Sequence, residues 1–214
     1  ANITYALGSF DATPLEMVAA YSAIANNGVY LEPTFYTKVV DSDGNTVLET
    51  KQERRTIMSE AAAYVTKEVL TQPIKSGTST ACGISGMSVG AKTGTTNDAK
   101  DKWFCAYNPD YAWATWNGGT EKGISLSNTN DAKKISEDIA RLLHRRGVKN
   151  EYKTPNTVVE EKMVIGSYPY KSPSSSTPSS MVRSAWFVKG HTPNETDTKT
   201  YSLEDLTSFS ASIS

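Results

Sequence analysis

A chain of 214 residues with 38% hydrophobic composition is long enough to bury a substantial core, and it fits one domain with an appendage. A formal net charge of -1, with no Lys/Arg cluster interleaved with aromatics, leaves no cationic surplus for phosphates and excludes nucleic acid as an expected partner. No run approaches the roughly 18 apolar residues that span a bilayer, and two cysteines with two histidines are too few for a disulfide scaffold or a metal site. Cys82 and Cys105 are read as buried, unpaired small hydrophobes. The opening Ala1-Asn2-Ile3-Thr4-Tyr5 has no initiating Met and none of the regions of a signal peptide, so the chain is expected to continue a longer polypeptide.

Thr13-Pro14-Leu15-Glu16 forms a capping box with proline at the first helical position, and Leu15, Val18, Ala19, Ser22 and Ala25 follow at helical spacing to a stop at Asn26-Asn27-Gly28. Residues 35–40 and 46–50 read as strands of a hairpin turned at Asp41-Ser42-Asp43-Gly44-Asn45. Ser59 caps a second helix with Ala62, Val65, Thr66 and Val69 on one face, closed at Gln72-Pro73. After a small-residue segment, three strands are predicted at about 87–96, 102–107 and 112–117, close enough in sequence to form an antiparallel meander. Asp131 is expected to cap a helix with Ile135, Ile139, Leu142 and Leu143 in one stripe, stopped by Gly147 and suited to cover the meander. Beyond Gly147 the composition shifts, with a polar Ser/Pro-rich linker at 172–180 and one short strand candidate at 185–189.

The strand Gly90-Ala91-Lys92-Thr93-Gly94-Thr95 carries the chemistry. Two glycines weaken it as a strand, which points to close approach of another backbone, and an extended peptide could add to its edge with Gly94 offering no side chain to block it. Thr93 and Thr95 share one side of the pleat, where their hydroxyls could hold a carboxylate. Lys92 supplies a positive charge but alternates to the other side, so all three meet one ligand only at a twisted edge. Trp103 and Phe104 are read as core or cleft-wall aromatics, Asp101 as a turn former, and His144 as a helix C-terminal cation.

Lys-Thr-Gly is one of the three motifs, with Ser-x-x-Lys and Ser-Asp-Asn, of penicillin-binding proteins and class A β-lactamases. Together with Ala6-Leu7-Gly8-Ser9, Thr13-Pro14-Leu15-Glu16-Met17, Asp101-Lys102-Trp103-Phe104 and Trp116-Asn117-Gly118, the phrase Gly90 to Asn97 resembles the transpeptidase domain of class A, or bifunctional, penicillin-binding proteins. The tail phrase Trp186-Phe187-Val188-Lys189-Gly190-His191-Thr192-Pro193 is similar to the segment C-terminal to that domain in Gram-positive members.

The resemblance implies an α/β fold of the α+β type, an antiparallel sheet covered by helices as in serine β-lactamases and penicillin-binding transpeptidases. Residues 1–147 would be the C-terminal part of the transpeptidase domain, and 148–214 an extension. The implied activity is D-Ala-D-Ala transpeptidation of peptidoglycan stem peptides through a serine acyl-enzyme, on the extracytoplasmic face of a bacterial membrane, with a glycosyltransferase domain upstream and no cofactor or metal. Penicillins and other β-lactams would acylate the same serine. By motif position Lys92 would be catalytic, polarising the site; Thr93, Gly94 and Thr95 would bind substrate, with the Thr95 N–H as one oxyanion donor. No serine in the chain has a lysine three residues on, and no Ser-x-Asn occurs, so the nucleophile and base are expected in an N-terminal part of the same domain, present upstream or as a separate chain. This chain alone is therefore expected to be inactive. The alternative reading is an inactive homologue, or a non-catalytic module holding peptide ends at the same strand edge.

Overall fold

The computed structural model describes residues 8, 10–119, 125, 126, 129–148 and 150–202. These divide into two compact units, the break falling between Thr154 and Pro155. The opening phrase Ala6-Leu7-Gly8-Ser9 falls, Gly8 apart, outside the described residues.

In the first unit, helix α1 (Pro14–Ala25) starts with the predicted capping box: Thr13 Oγ1 accepts from the Glu16 N–H, and the Glu16 carboxylate accepts from the Thr13 N–H at 2.8 Å. Such a cap contributes about 1 kcal/mol. Asn27 and Gly28 turn the chain out of the helix with φ of 54° and 86°. A Cβ on Gly28 would collide with the Met58 carbonyl, so this turn requires glycine. Two short pairs follow, β1 (Val29–Leu31) with β4 (Arg54–Thr56) and β2 (Lys38–Val40) with β3 (Thr46–Glu49), both antiparallel. The predicted strand 35–40 thus begins at Lys38, with the Thr37 carbonyl still accepting from the Thr50 N–H at 3.0 Å beyond the ladder's end. β1 and β4, three residues each, are too short to show a period.

Helix α2 (Glu60–Ser76) is capped by Ser59, as its sequence predicts, but runs past Pro73. Proline has no N–H to donate to the carbonyl four residues back, that of Val69, a residue that is 62% exposed. The buried face is also displaced from the predicted one: Ala63, Tyr64 and Lys67 point inward and Val69 outward. Lys67 is 2% exposed, donates to Asn27 Oδ1 at 2.7 Å and lies 4.2 Å from the Tyr152 ring centroid. Burial pulls its pKa below the ordinary lysine value.

The predicted meander is the central sheet, β5 (Gly90–Thr95), β6 (Asp101–Tyr107) and β7 (Ala112–Gly118), antiparallel in the order β5-β6-β7. One face carries Ala91, Phe104, Ala106 and Trp113 and packs on helix α3 (Asp131–Arg145) through Ala132 and Ala140. The other carries Cys105 and Tyr107, covered by α1, whose Tyr21 ring stands 6.1 Å from that of Tyr107. The inward face of α3 differs from the predicted stripe. Ala132, Ser136 and Ala140 are buried, Ile139 and Leu143 flank the core, and Ile135 and Leu142 are exposed. Small residues let the helix lie close to the sheet, where Ser136 Oγ and Thr115 Oγ1 share a hydrogen bond of 2.7 Å and Thr115 also donates to the Ala132 carbonyl. Asp131 is the first helical residue rather than the cap, and accepts from Asn117 Nδ2.

The second unit is built on a hairpin of β8 (Val158–Val164) and β9 (Val182–Val188). β9 extends the candidate strand at 185–189 toward the N-terminus; β8 carries Glu160, Glu161 and Lys162 at its centre, which hides it from apolar patterning. The Ser/Pro-rich run 172–180 lies within this unit, and it is hydrogen-bonded rather than loose: Thr177 Oγ1 donates to Asp197 Oδ2 at 3.0 Å, and Ser172 exchanges backbone hydrogen bonds with Glu195 and Asp197.

Candidate active site

Among the described residues β5 is an edge strand, paired with β6 and no other strand. Its register is Gly90↔Tyr107 through Thr95↔Lys102, and the Thr96 N–H donates to the Asp101 carbonyl at 3.1 Å at the end of the ladder. Antiparallel pairs alternate between hydrogen-bonded and non-hydrogen-bonded. With Thr96 and Asp101 a bonded pair, Gly94 with Trp103 and Lys92 with Cys105 are bonded pairs too. Thr93 and Thr95 therefore aim their N–H and C=O groups away from β6, along the free edge.

Lys92 begins on the Cys105 face but its chain turns back: Nζ donates to the Thr93 carbonyl at 2.7 Å. That carbonyl lies on the free edge, so the ammonium arrives where the outward amides of Thr93 and Thr95 are. Alternation separates Lys92 from the threonines, and the four-carbon stem undoes the separation. Thr93 is half-buried, its hydroxyl 3.2 Å from that of Thr78, while Lys92 and Thr95 are exposed. Sequence reasoning passed over Thr78, because in Ser76-Gly77-Thr78-Ser79-Thr80 nothing marks one hydroxyl above the rest.

Gly94 faces the Trp103 side chain, and a Cβ there would stand 3.1 Å from Trp103 Cβ. Trp103 in turn lies opposite Trp116, ring centroids 6.3 Å apart. Beyond the strand, Asp101 closes the turn from both sides: its N–H donates to Thr96 Oγ1, while its carboxylate accepts from Thr96 Oγ1 and, at 2.9 Å, from Trp116 Nε1. The β5–β6 connection is thereby held in one shape at the end of the strand. Phe104 belongs to the core, at 0% exposure. Cys105, opposite Lys92, is buried and free, as is Cys82; burial pushes both thiols up to about 11. Among the described residues no group of three or more His, Cys, Asp or Glu is placed to hold a metal. A cleft of about 450 Å³ lined by Glu32, Phe35, Tyr36, Lys51 and Glu53 lies at the base of the β2–β3 hairpin and shares no residue with this edge.

An edge strand with outward amides, two hydroxyls and an ammonium is an acceptor for an extended, anionic chain end. Comparison with known proteins bears on the family. The sequence pattern of the penicillin binding protein transpeptidase domain matches residues 1–141. Penicillin-binding protein 1A/1B of Bacillus subtilis (strain 168) is 34% identical in an alignment of 230 residues, covering 95% of this chain and 25% of that protein. Penicillin-binding protein 1A of Clostridium botulinum (strain Langeland) is 34% identical over 195 residues, 86% of this chain and 23% of the relative. The crystal structure of penicillin-binding protein 1A from Haemophilus influenzae shares the fold, with a TM-score of 0.72 at 22% identity, over 94% of this chain and 35% of that one. The chain belongs to the penicillin-binding protein transpeptidase family, on its class A branch, and spans about a quarter of the length of these curated relatives.

Proposed function

We propose that the full-length gene product is a serine D-Ala-D-Ala transpeptidase, with residues 1–147 as the C-terminal part of its catalytic domain and 148–214 as an extension. The observation that carries this reading is the free edge of β5, where the Lys92 ammonium meets the outward backbone of Thr93 and Thr95. A serine upstream of Ala1 attacks the carbonyl of the penultimate D-Ala, and the terminal D-Ala leaves as an amine with a proton from the general base. An amine of a neighbouring stem then attacks the acyl-enzyme carbonyl and displaces the serine oxygen, and the proton that this amine loses passes through the general base to the serine oxygen. The stem peptide lies antiparallel along β5; the Thr95 N–H donates to the oxyanion, Thr93 and Thr95 hydroxyls hold the terminal carboxylate, and Lys92 stabilises the charge that develops. β-Lactams enter by the same route and leave the serine acylated.

The reaction draws on no cofactor. It takes place on the extracytoplasmic face of the bacterial membrane, with the anchor, the nucleophile and a glycosyltransferase domain in parts of the gene product outside this chain. No described helix here is long and apolar enough to cross a membrane. Labelled penicillin tests the reading: covalent labelling of the full-length gene product, and none of the 214-residue chain by itself, is the expected pair of results. Absence of label on the full-length product overturns the enzyme and leaves a module that only holds peptide ends.

A further inference from the structure

We propose that Thr78 is a positioning residue for Thr93: its hydroxyl donates to Thr93 Oγ1 and so commits the Thr93 proton to the carboxylate of the substrate or β-lactam. The inference rests on the carboxylate-binding role given to Thr93 above. It begins from the 3.2 Å separation of the two hydroxyl oxygens, which join residues 15 positions apart in sequence.

A threonine hydroxyl has one proton and two acceptor lone pairs. If Thr93 donated to Thr78, that proton would be spent inside the protein, and the anion would meet a lone pair. A bound carboxylate selects the other direction, because a hydrogen bond to an ionised acceptor is about twice as strong as one between neutral groups. Thr93 then donates to the anion and Thr78 donates to Thr93. Accepting a bond polarises a hydroxyl and strengthens the one it donates, so Thr78 sharpens both the aim and the strength of the Thr93 contact.

The backbone around Thr78 is built to hold it there. The N–H groups of Gly77 and Ser79, on either side, both donate to the Pro73 carbonyl, at 3.2 and 3.0 Å. Ser79 is 0% exposed, and its carbonyl accepts from the Cys82 N–H at 3.0 Å. A Cβ at Gly77 would come within 2.8 Å of Pro73 Cα, so the turn closes this tightly only with glycine. Thr78 is the outward residue between two anchored neighbours, exposed on the Thr93 side of β5.

A double-mutant cycle on acylation of the full-length gene product by labelled penicillin tests this, with Thr78→Val, Thr93→Val and both together. Thr78→Val should slow acylation about three- to tenfold, the worth of one hydrogen bond, and Thr78→Ser should restore the wild-type rate. In the Thr93→Val background Thr78→Val should have no further effect, because its only route to the ligand is gone. Equal effects of Thr78→Val in both backgrounds, a wild-type rate in Thr78→Val, or a Thr78→Ser variant as slow as Thr78→Val each overturns the inference alone. A wild-type product that takes no label overturns the proposed function, and the inference with it. Thr78→Ala, which only shortens an exposed side chain, repeats the cycle should Thr78→Val fold poorly.

Discussion

The two ends of β5 use small residues for opposite purposes. At Gly90 and Ala91 the strand is buried, and the missing side chain makes room for the protein itself: a Cβ on Gly90 would stand 2.5 Å from the Tyr107 ring and its hydroxyl. From Lys92 to Thr95 the strand is exposed or half-buried, and its outward backbone edge is the one proposed to take an outside chain. One short run thus begins as core and ends as the candidate site. The difference lies in what stands across from it: Tyr107 under α1 at one end, and Trp103 at the rim of the sheet at the other.

The largest expected effect separates the ends by chemistry. Lys92→Ala in the full-length product should slow penicillin acylation about a hundredfold or more, the usual loss for one preorganised charge, while leaving thermal stability near wild type. A rate within about threefold of wild type would remove Lys92 from the reaction. The next effect separates them by packing. Gly90→Ala forces the buried Tyr107 ring to move and should cost about 3 kcal/mol, whereas Gly94→Ala, beside the partly exposed Trp103, should cost about 1 kcal/mol or less. Chemical unfolding of the two variants gives both numbers, and equal losses would erase the contrast.

The buried end should also fail first in alkali. Tyr107 and Tyr152 have their hydroxyls buried, and burial raises both pKa values well above 10, with Tyr21 raised to about 12. In the unfolded chain these tyrosines lose protons near pH 10, while the folded state still binds them. Stability is therefore full below about pH 10 and falls as pH rises beyond it, by up to about 1.4 kcal/mol per pH unit for each such tyrosine. Tyrosinate absorbance from these residues should appear together with loss of circular dichroism; ionisation in a still-folded protein would contradict their burial.

The smallest effect is a null one. Cys105 sits opposite Lys92 and yet is 2% exposed, and Cys82 is 0% exposed. With thiol pKa values pushed up to about 11, neither should react with a disulfide reagent at pH 8 in the native protein, and both should react in denaturant. Two thiols in denaturant without reductant is the count expected from their being free.

Much of this was legible in the residues themselves, and the misses share one cause. The Thr13 box, the Ser59 cap and the three strands of the meander are announced by local rules, and those rules act within a few residues. The buried faces of α2 and α3 are not announced locally. Lys67 and Ser136 look like surface residues and are interior, because Asn27 and Thr115 meet them from elements distant in the chain. Ile135 and Leu142 look like core and stay outside, because the sheet lies nearest the small face of their helix. β8 escapes notice since its charged centre faces solvent while its ends, Val158 and Val164, are buried.

At the site the division is similar. The residue types and their order, Lys-Thr-Gly-Thr on a strand followed by a turn, are properties of the sequence, and so is the family they point to. Which backbone groups face outward was settled only by pairing, because the phase of an antiparallel ladder depends on the partner strand and its register. The return of the Lys92 ammonium to the Thr93 edge, and the meeting of Thr78 with Thr93, were likewise decided in three dimensions. A hydrogen bond between residues 15 positions apart exists only where the fold closes the loop between them.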